Sequence, residues 1–98
     1  MARFDVYMGA RGKGYLLDCQ ANVLSILTSR VVVPLVPLSA MPVTPRLNPI
    51  FSIEGHDCIM MTQQIFAIPT PRLGKALMNL SEEDRLIINA LDLLLTGV

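Results

Sequence analysis

Residues 81–98, SEEDRLIINALDLLLTGV, carry the clearest helix signal in this sequence of 98 residues. Ser81 and Asp84 have the spacing of a capping box, and the acidic residues between them suit the positive end of a helix dipole. Gly97 follows the last periodic residue, which is where a glycine commonly ends a helix. We therefore predict a C-terminal helix that begins near Ser81 and ends at Gly97.

This helix carries more apolar surface than one sheet requires. At about 100° per residue, its polar residues fall within roughly 60° of one another, and the apolar residues from 86 to 95 cover roughly 220°, about twice the arc that packs on a sheet. A helix deep in its own core would explain this arc, but we favour one flank on the sheet and another against a second chain. Because the sequence ends directly after the helix, we expect its last residues to be presented to a partner. The polar stripe consists of Arg85, Asn89, Asp92 and Thr96.

The first residues of the chain predict a β-hairpin. The segment RFDVYM alternates Phe4, Val6 and Met8 with more polar residues, which is the pattern of a half-buried strand. Three further segments follow it: GARGKG (9–14), with hairpin-loop chemistry; YLLDCQ (15–20), a partner strand; and ANVLSILTS (21–29), which fits either a helical turn or an irregular loop.

Prolines shape the next part of the chain. RVVVPLVPL (30–38) is rich in β-branched residues, but Pro34 and Pro37 each remove a donor, so we expect this strand at a sheet edge or bent at its prolines. From Pro34 to Pro49 the proline density excludes a helix and predicts an extended, ordered loop. The PLVP and PVTP spacings within it match PxxP ligands, although we favour a structural loop.

A second hairpin completes the β-rich part. IFSIEGHDCIMMTQQ (50–64) places two β-prone runs around Glu54–Asp57, and at least one of Met60 and Met61 should enter the core. IFAIPTPRLG (65–74) predicts a short strand that ends at its prolines. Strands followed by one helix predict a mainly β fold: a bent antiparallel sheet or small barrel with one C-terminal α-helix.

Composition favours a single domain over residues 1–98 that binds another protein. Charged residues make up only 16% of the chain, against a typical ~25%, which suggests that a partner covers part of the surface. The eight basic and eight acidic residues balance and are scattered, so we do not expect the chain to bind nucleic acid through its own charge. No segment has the ~18 apolar residues of a membrane span or the pattern of a secretory signal, so we expect no membrane association and a cytoplasmic location. We expect Cys19 and Cys58 to be free, buried thiols there.

The sequence offers little support for catalysis or metal binding. GARGKG lacks the spacing of a phosphate-binding loop. His56 and Cys58 share one face of a strand while Asp57 points to the other, so these residues cannot form the relay of a thiol hydrolase. Two cysteines and one histidine at these spacings match no zinc pattern, and we expect no cofactor and no metal.

Taken in order, several segments resemble the CcdB family of plasmid and chromosomal toxins. The resemblance implies a homodimer of SH3-like barrels of the CcdB/Kid/MazF type, each with a bent antiparallel sheet and a C-terminal helix. The segments that carry it are FDVY, YLLDCQANVL, RVVVPLVPL, NPIFSIEG, IMMTQQIFAIP and LGKALMNLSEEDRLIINALDLLLTGV.

The same resemblance implies a function without catalysis. Members of the family bind the A subunit of DNA gyrase and trap its covalent cleavage complex with DNA. A CcdA-like antitoxin neutralises the toxin, and the complex of the two represses its own operon, so operator DNA is bound only through the antitoxin complex. Thr96 replaces an aromatic residue of the family pattern, and Asp92 replaces an amide. The gyrase-binding positions that the resemblance implies are Val23, Leu24, Asp92, Leu95, Thr96, Gly97 and Val98.

Two other functions stay open at this point. An endoribonuclease toxin of the Kid/MazF type has the same barrel, but it needs acid and base residues in a groove, and His56 is the chain's one histidine. An inactive relative that only binds the antitoxin is the other alternative.

Overall fold

The computed structural model describes residues 1–9, 12–38 and 44–98, which form an antiparallel sheet packed against a C-terminal helix. This confirms the predicted mainly β class. Short 3-10 turns span Asn22–Leu24, Thr62–Gln64, Thr70–Arg72 and Ser81–Glu83. The strands are β1 (Asp5–Met8), β2 (Tyr15–Asp18), β3 (Ser29–Pro37), β4 (Ile50–Ile53), β5 (His56–Met60), β6 (Phe66–Pro69) and β7 (Met78–Asn79), and the helix is α1 (Asp84–Thr96).

Strand β3 lies at the centre of the sheet. In the part of the chain described, the strand order is β4-β5-β3-β2-β1-β7, and β6 also pairs with β3. One edge of β3 pairs with β2, while the other pairs first with β6 and then with β5. This change of partner accompanies the curling of the sheet into a half-barrel. Of the two predicted alternatives, a sheet edge or a strand bent at its prolines, the edge position is therefore wrong.

Pro34 is tolerated in a central strand because it lies where the partner changes. Its carbonyl accepts a hydrogen bond from the Met61 amide at 2.9 Å. The nitrogen and carbonyl of one strand residue face the same edge, so the missing N–H of Pro34 falls at the junction between the β6 and β5 pairings. The position of this junction cannot be predicted from local sequence, because it depends on which distant segments pair with β3 there.

The proline-rich segment from Pro34 to Pro49 lies partly in β3 and partly in the connection to β4. Pro34 and Pro37 belong to β3, so the prediction of a loop beginning at Pro34 is wrong, and residues 39–43, which include part of the PVTP motif, lie outside the described residues. Beyond them, Asn48 fixes the chain: its amide donates to Thr44 O at 2.7 Å and its side chain donates to Met60 O at 3.0 Å. The prediction of an ordered connection is confirmed at this end.

Both predicted hairpins are present. The Gly9 amide donates to Gly14 O at 3.0 Å and closes the loop between β1 and β2, of which Ala10 and Arg11 lie outside the described residues. Glycine is required at position 14, because its φ is +62° and an added Cβ would lie 2.7 Å from the carbonyl oxygen of Leu35.

The second hairpin turns more tightly than predicted. Glu54 and Gly55, with φ of +52° and +82°, form a two-residue turn between β4 and β5. Two successive positive φ angles are typical of a type I′ turn, which matches the twist of the flanking strands. His56 and Asp57, predicted to belong to the turn, are the first residues of β5.

The sheet is buried on both faces. The main core lies between one face and α1, and a smaller cluster on the other face contains Tyr7 and Leu16. The predicted alternation in β1 is therefore wrong at two positions: Tyr7 is buried, and Met8, beside the hairpin loop, is half exposed. Met60 and Met61 are both buried, as expected for at least one. Central members of the main core are Val6, Leu17, Val33, Ile53, Met60, Ile87, Ala90 and Leu91.

The helix ends as predicted but begins differently. A 3-10 turn at Ser81–Glu83 precedes α1, and the Ser81 amide donates to Asn79 Oδ1 at 2.8 Å in place of a capping box. At the other end Gly97 has φ +76°, and its amide donates to the carbonyls of Asp92 and Leu93 at 3.2 and 3.1 Å. Of the helices in the described ranges, none is long and apolar enough to cross a membrane.

Candidate partner-binding site

Helix α1 exposes part of its apolar surface. Ile87, Ala90 and Leu91 are buried against the sheet, whereas Leu86 is half exposed and Leu95 is 70% exposed. This confirms the prediction that one flank of the helix packs on the sheet. Leu86 and Leu95 are nine positions apart, about 180° around the helix, so apolar surface stays uncovered on both sides of the buried face in the protomer. Five of the predicted site residues lie at the C-terminal end of this helix.

Three of these residues form the last turn of the helix. Asp92 and Leu95 are exposed neighbours at a spacing of three residues, which brings their side chains close on a helix surface. Thr96 Oγ1 donates to Asp92 O at 2.7 Å, so the hydroxyl hydrogen is already used inside the helix. Thr96 therefore offers a partner its methyl group and its oxygen as an acceptor, and the turn as a whole offers an aliphatic surface beside one carboxylate.

The remaining two residues follow the helix. Gly97 redirects the chain, and Val98 is 74% exposed. The Arg46 guanidinium donates to the Val98 carbonyl oxygen, which ties the end of this segment to the turn that precedes β4. The helix end, defined here as residues 92–98, thus displays two aliphatic side chains, Leu95 and Val98.

The other two predicted residues lie on the β2–β3 loop, defined as residues 19–28. Val23 is 85% exposed and Leu24 is half exposed, both in the 3-10 turn Asn22–Leu24. Arg3 N donates to Asn22 Oδ1 at 2.8 Å, and Gln20 Nε2 donates to Leu24 O at 3.0 Å. The loop is therefore fixed from the N-terminal segment and from its own first residues.

A buried ion pair lies at the base of this loop. Arg30 Nε donates to Asp18 Oδ2 at 2.8 Å. Arg30 Nη2 lies 2.7 Å from the same oxygen but makes no hydrogen bond of good geometry. The other carboxylate oxygen accepts the Gln20 amide at 3.0 Å, and Gln20 Oε1 accepts the Val31 amide at 3.2 Å. This buried polar network, made of Asp18, Gln20 and Arg30, joins the end of β2 to the start of β3.

Cys19, next to the ion pair, is a structural thiol. Burial raises its pKa to about 12, and the Asp18 carboxylate acts in the same direction while Arg3 opposes it. Its Sγ donates to Leu17 O at 3.7 Å. Both cysteines are free and buried, as predicted.

The two parts of the predicted site have different surroundings within one protomer. The β2–β3 loop accepts hydrogen bonds from the backbone amides of Arg3 and Thr70, the latter at Thr28 O. The helix end is bonded to Arg46, and α1 packs beside Thr62–Gln64. No hydrogen bond among the described residues joins the loop to α1. The structure therefore presents the predicted residues as two separately supported aliphatic surfaces.

Two exposed residues of the loop were not among the site residues predicted from the sequence. Ile26 is 88% exposed and Leu27 is half exposed, close to Val23 and Leu24. The available signal was a group of aliphatic residues in ANVLSILTS, a segment without a clear helical or strand period. Such residues without a place in a core are candidates for a contact surface.

The segment His56–Cys58 has no activated nucleophile. A groove of about 540 Å³ is lined partly by Tyr15, His56, Asp57 and Cys58. The Cys58 thiol donates to His56 O at 3.6 Å, and burial together with Asp57 raises its pKa. The thiol therefore stays protonated at neutral pH, which removes the nucleophile a thiol hydrolase needs. Among residues 1–9, 12–38 and 44–98, no three His, Cys, Asp or Glu side chains are grouped to hold a metal ion.

The chain was compared with models of known protein families. A family model described as CcdB protein matches residues 3–97. The matched range spans all the strands described above, the whole of α1, the β2–β3 loop and the helix end except Val98.

Proposed function

The chain belongs to the CcdB family, whose members are toxins of toxin–antitoxin systems, and from this premise we propose that it binds the A subunit of DNA gyrase. Binding traps the covalent complex between gyrase and cleaved DNA, so that double-strand breaks persist. The observation that carries this proposal is the family match over residues 3–97, which includes the β2–β3 loop and the helix end except Val98.

The chemistry of the helix end suits a protein contact. Leu95 and Val98 expose most of their surface, and full burial of such side chains contributes about 1.5–3 kcal/mol each. Thr96 supplies no large anchor where the family pattern has an aromatic residue, which is the residue type most often dominant in interfaces. We infer that several aliphatic contacts, on the helix end and on Val23 and Leu24, share the binding energy.

The remaining partners belong to the same proposal. We propose that the protein acts as a homodimer, is neutralised by a CcdA-like antitoxin in the cytoplasm, and reaches operator DNA only through the antitoxin complex. A net charge of zero supports this last point, because direct binding to DNA relies on an excess of Lys and Arg. The protein acts by binding rather than catalysis, and the protonated Cys58 thiol is consistent with this.

A cleavage assay tests the proposal directly. The protein is added to gyrase, ATP and supercoiled plasmid, and the reaction is treated with detergent and protease. We expect linear DNA in proportion to the amount of protein. No linear product at saturating protein would contradict gyrase poisoning, and degradation of a mixed RNA sample in a parallel reaction would support the endoribonuclease alternative instead.

A substituted helix end tests the site. Replacing Leu95 and Val98 by Ser should reduce linear DNA at least about tenfold, because both side chains would lose their apolar contacts. Their exposure means that the melting temperature should change little. Ile50→Ser, which changes a half-exposed aliphatic residue on β4, is the matched control and should retain full activity. Equal activity of the two variants would remove the helix end from the site.

A further inference from the structure

The β2–β3 loop concentrates exposed aliphatic side chains. Val23, Leu24, Ile26 and Leu27 occupy four of five consecutive positions, and all are half exposed or more. Single exposed hydrophobic residues are ordinary on protein surfaces, but a contiguous group of them indicates an interaction site. The sequence carries no charged residue between Asp18 and Arg30, and both of those are buried. The loop's own side chains therefore carry no charge; a neighbouring cation, Arg3, donates from Nε to Cys19 O at 3.3 Å.

The backbone beneath these side chains is well ordered by hydrogen bonds. Three amides of the loop donate to carbonyls three residues earlier: Leu24 to Ala21, Ser25 to Asn22 and Leu27 to Leu24, each at 3.0 Å. Gln20 Nε2 donates to Leu24 O at 3.0 Å and closes the first turn from beneath. A surface held in place before binding loses little conformational entropy when a partner covers it.

We propose that Ile26 and Leu27 extend the Val23–Leu24 contact, and that the four side chains dock as one aliphatic patch on an uncharged, apolar surface of the gyrase A subunit. This inference rests on the proposed gyrase binding and deepens it, because it assigns residues that the family pattern did not supply. A charged surface on the partner would lose its hydration against this patch and gain no counter-charge.

Continuity with Val23 and Leu24, which belong to the proposed gyrase contact, favours this occupant over a second copy of the chain. A stable interface of ordinary size buries about 800 Å² on each partner and uses 20–30 residues. A loop of ten residues supplies only part of that area. It suits one portion of a larger contact that also includes the helix end, as the proposed gyrase interface does.

The test compares two aliphatic substitutions with a matched control. The double variant Ile26→Ser/Leu27→Ser and the control Leu77→Ser, at a half-exposed leucine before β7, are titrated against the purified gyrase A subunit. We expect the double variant to bind about tenfold more weakly, which corresponds to ~1.4 kcal/mol, and the control to bind like the wild type. Melting temperatures should agree among all three, since these side chains are exposed. If the double variant is not folded by circular dichroism, Ile26→Thr, which keeps the branched shape, takes its place with an expected loss of several-fold.

The outcomes separate the inference from the function on which it rests. Wild-type binding with an unchanged double variant overturns the inference and leaves gyrase binding in place. No binding by the wild type, with or without DNA, overturns both. Unchanged gyrase binding together with weakened self-association in sedimentation experiments assigns the patch to the dimer and also overturns the inference.

Discussion

The β2–β3 loop and the helix end both present aliphatic side chains, but they are supported in different ways. The loop depends on the buried polar network, in which Arg30 reaches Asp18 across twelve positions of sequence. The helix end depends on its own main chain: Thr96 bonds to Asp92 four residues earlier, and Gly97 closes the last turn. One surface is therefore built from side chains brought together by the fold, and the other from local backbone geometry.

The two kinds of support predict different effects of substitution on stability. A buried charge that loses its partner destabilises a protein far more than a helix cap that loses its best residue. Substitutions under the loop should therefore strongly affect the stability of the whole chain, whereas substitutions at the helix end should affect stability only slightly and act mainly on contacts with partners.

The largest effect should come from Arg30→Met, which leaves the Asp18 carboxylate buried and unpaired. We expect a loss of about 3–5 kcal/mol in the free energy of unfolding, measured with urea. Arg85→Met, at an exposed position of α1, is the control and should change stability by less than about 0.5 kcal/mol. Equal losses in the two variants would contradict the contrast drawn above.

The ionisation of the buried Cys19 thiol should make the stability of the protein depend on pH. Its thiol has an ordinary pKa of 9.0 and a folded pKa of about 12, so the stability due to the neutral thiol is fully present below pH 9 and is lost as pH rises toward 12. At pH 11 the loss is roughly 2–3 kcal/mol. Burial also raises the pKa of Tyr7 to about 12, so Tyr7 affects stability in the same pH range. The contribution of Cys19 to the pH dependence of stability is therefore the difference between the wild type and Cys19→Ala. Parallel stability profiles from pH 8 to pH 11 would show that Cys19 does not titrate in this way.

Gln20→Ala should have an intermediate effect. The change removes the acceptor of the Val31 amide and the donor to Leu24 O, and we expect a loss of about 1–2 kcal/mol. Hydrogen exchange of the Val31 amide should become faster than in the control Gln64→Ala, which changes an exposed glutamine. Unchanged exchange at Val31 would mean that the side chain does not hold the loop.

The smallest effect should come from Gly97→Ala. The added Cβ meets no atom within 4 Å, so the cost is the left-handed backbone alone, about 1 kcal/mol. Gly97→Asn should lose less, because asparagine tolerates this conformation better. Calorimetric melting of both variants checks the order, and a larger loss for asparagine would contradict the role of backbone strain.

Local signals in the sequence were sufficient for much of the fold. The turn at Glu54–Gly55 and the glycine after the helix act within a few residues, and both were predicted. The alternation predicted for β1 holds at Phe4 and Val6 but not at Tyr7 and Met8. The central place of β3 and the burial of Tyr7 depend instead on distant segments: β6 reaches β3, and Leu73 packs in the same cluster as Tyr7. The predicted capping box does not form, because the Ser81 amide already donates a hydrogen bond to Asn79 Oδ1.

The candidate site divides in the same way. The apolar surplus of α1 follows from helical periodicity, so an exposed flank could be predicted from the residues themselves. The positions Val23 and Leu24 came from the family resemblance. The exposure of Ile26 and Leu27 depends on the path of the β2–β3 loop. That path is set by the buried polar network, by Arg3 and by the hydrogen bonds of the loop's own turns, and no hydrophobic period in the sequence indicates it.

The central position of β3 has a consequence for synthesis on the ribosome. When its nine residues emerge, β1 and β2 are already available to pair with one edge, but the segments that cover the other edge are still being made. Until β5 and β6 follow, the nascent chain offers an open, valine-rich strand edge, the kind of surface that pairs with other chains and aggregates. Newly made protein should therefore be most in need of a chaperone in the interval before Pro69 is added.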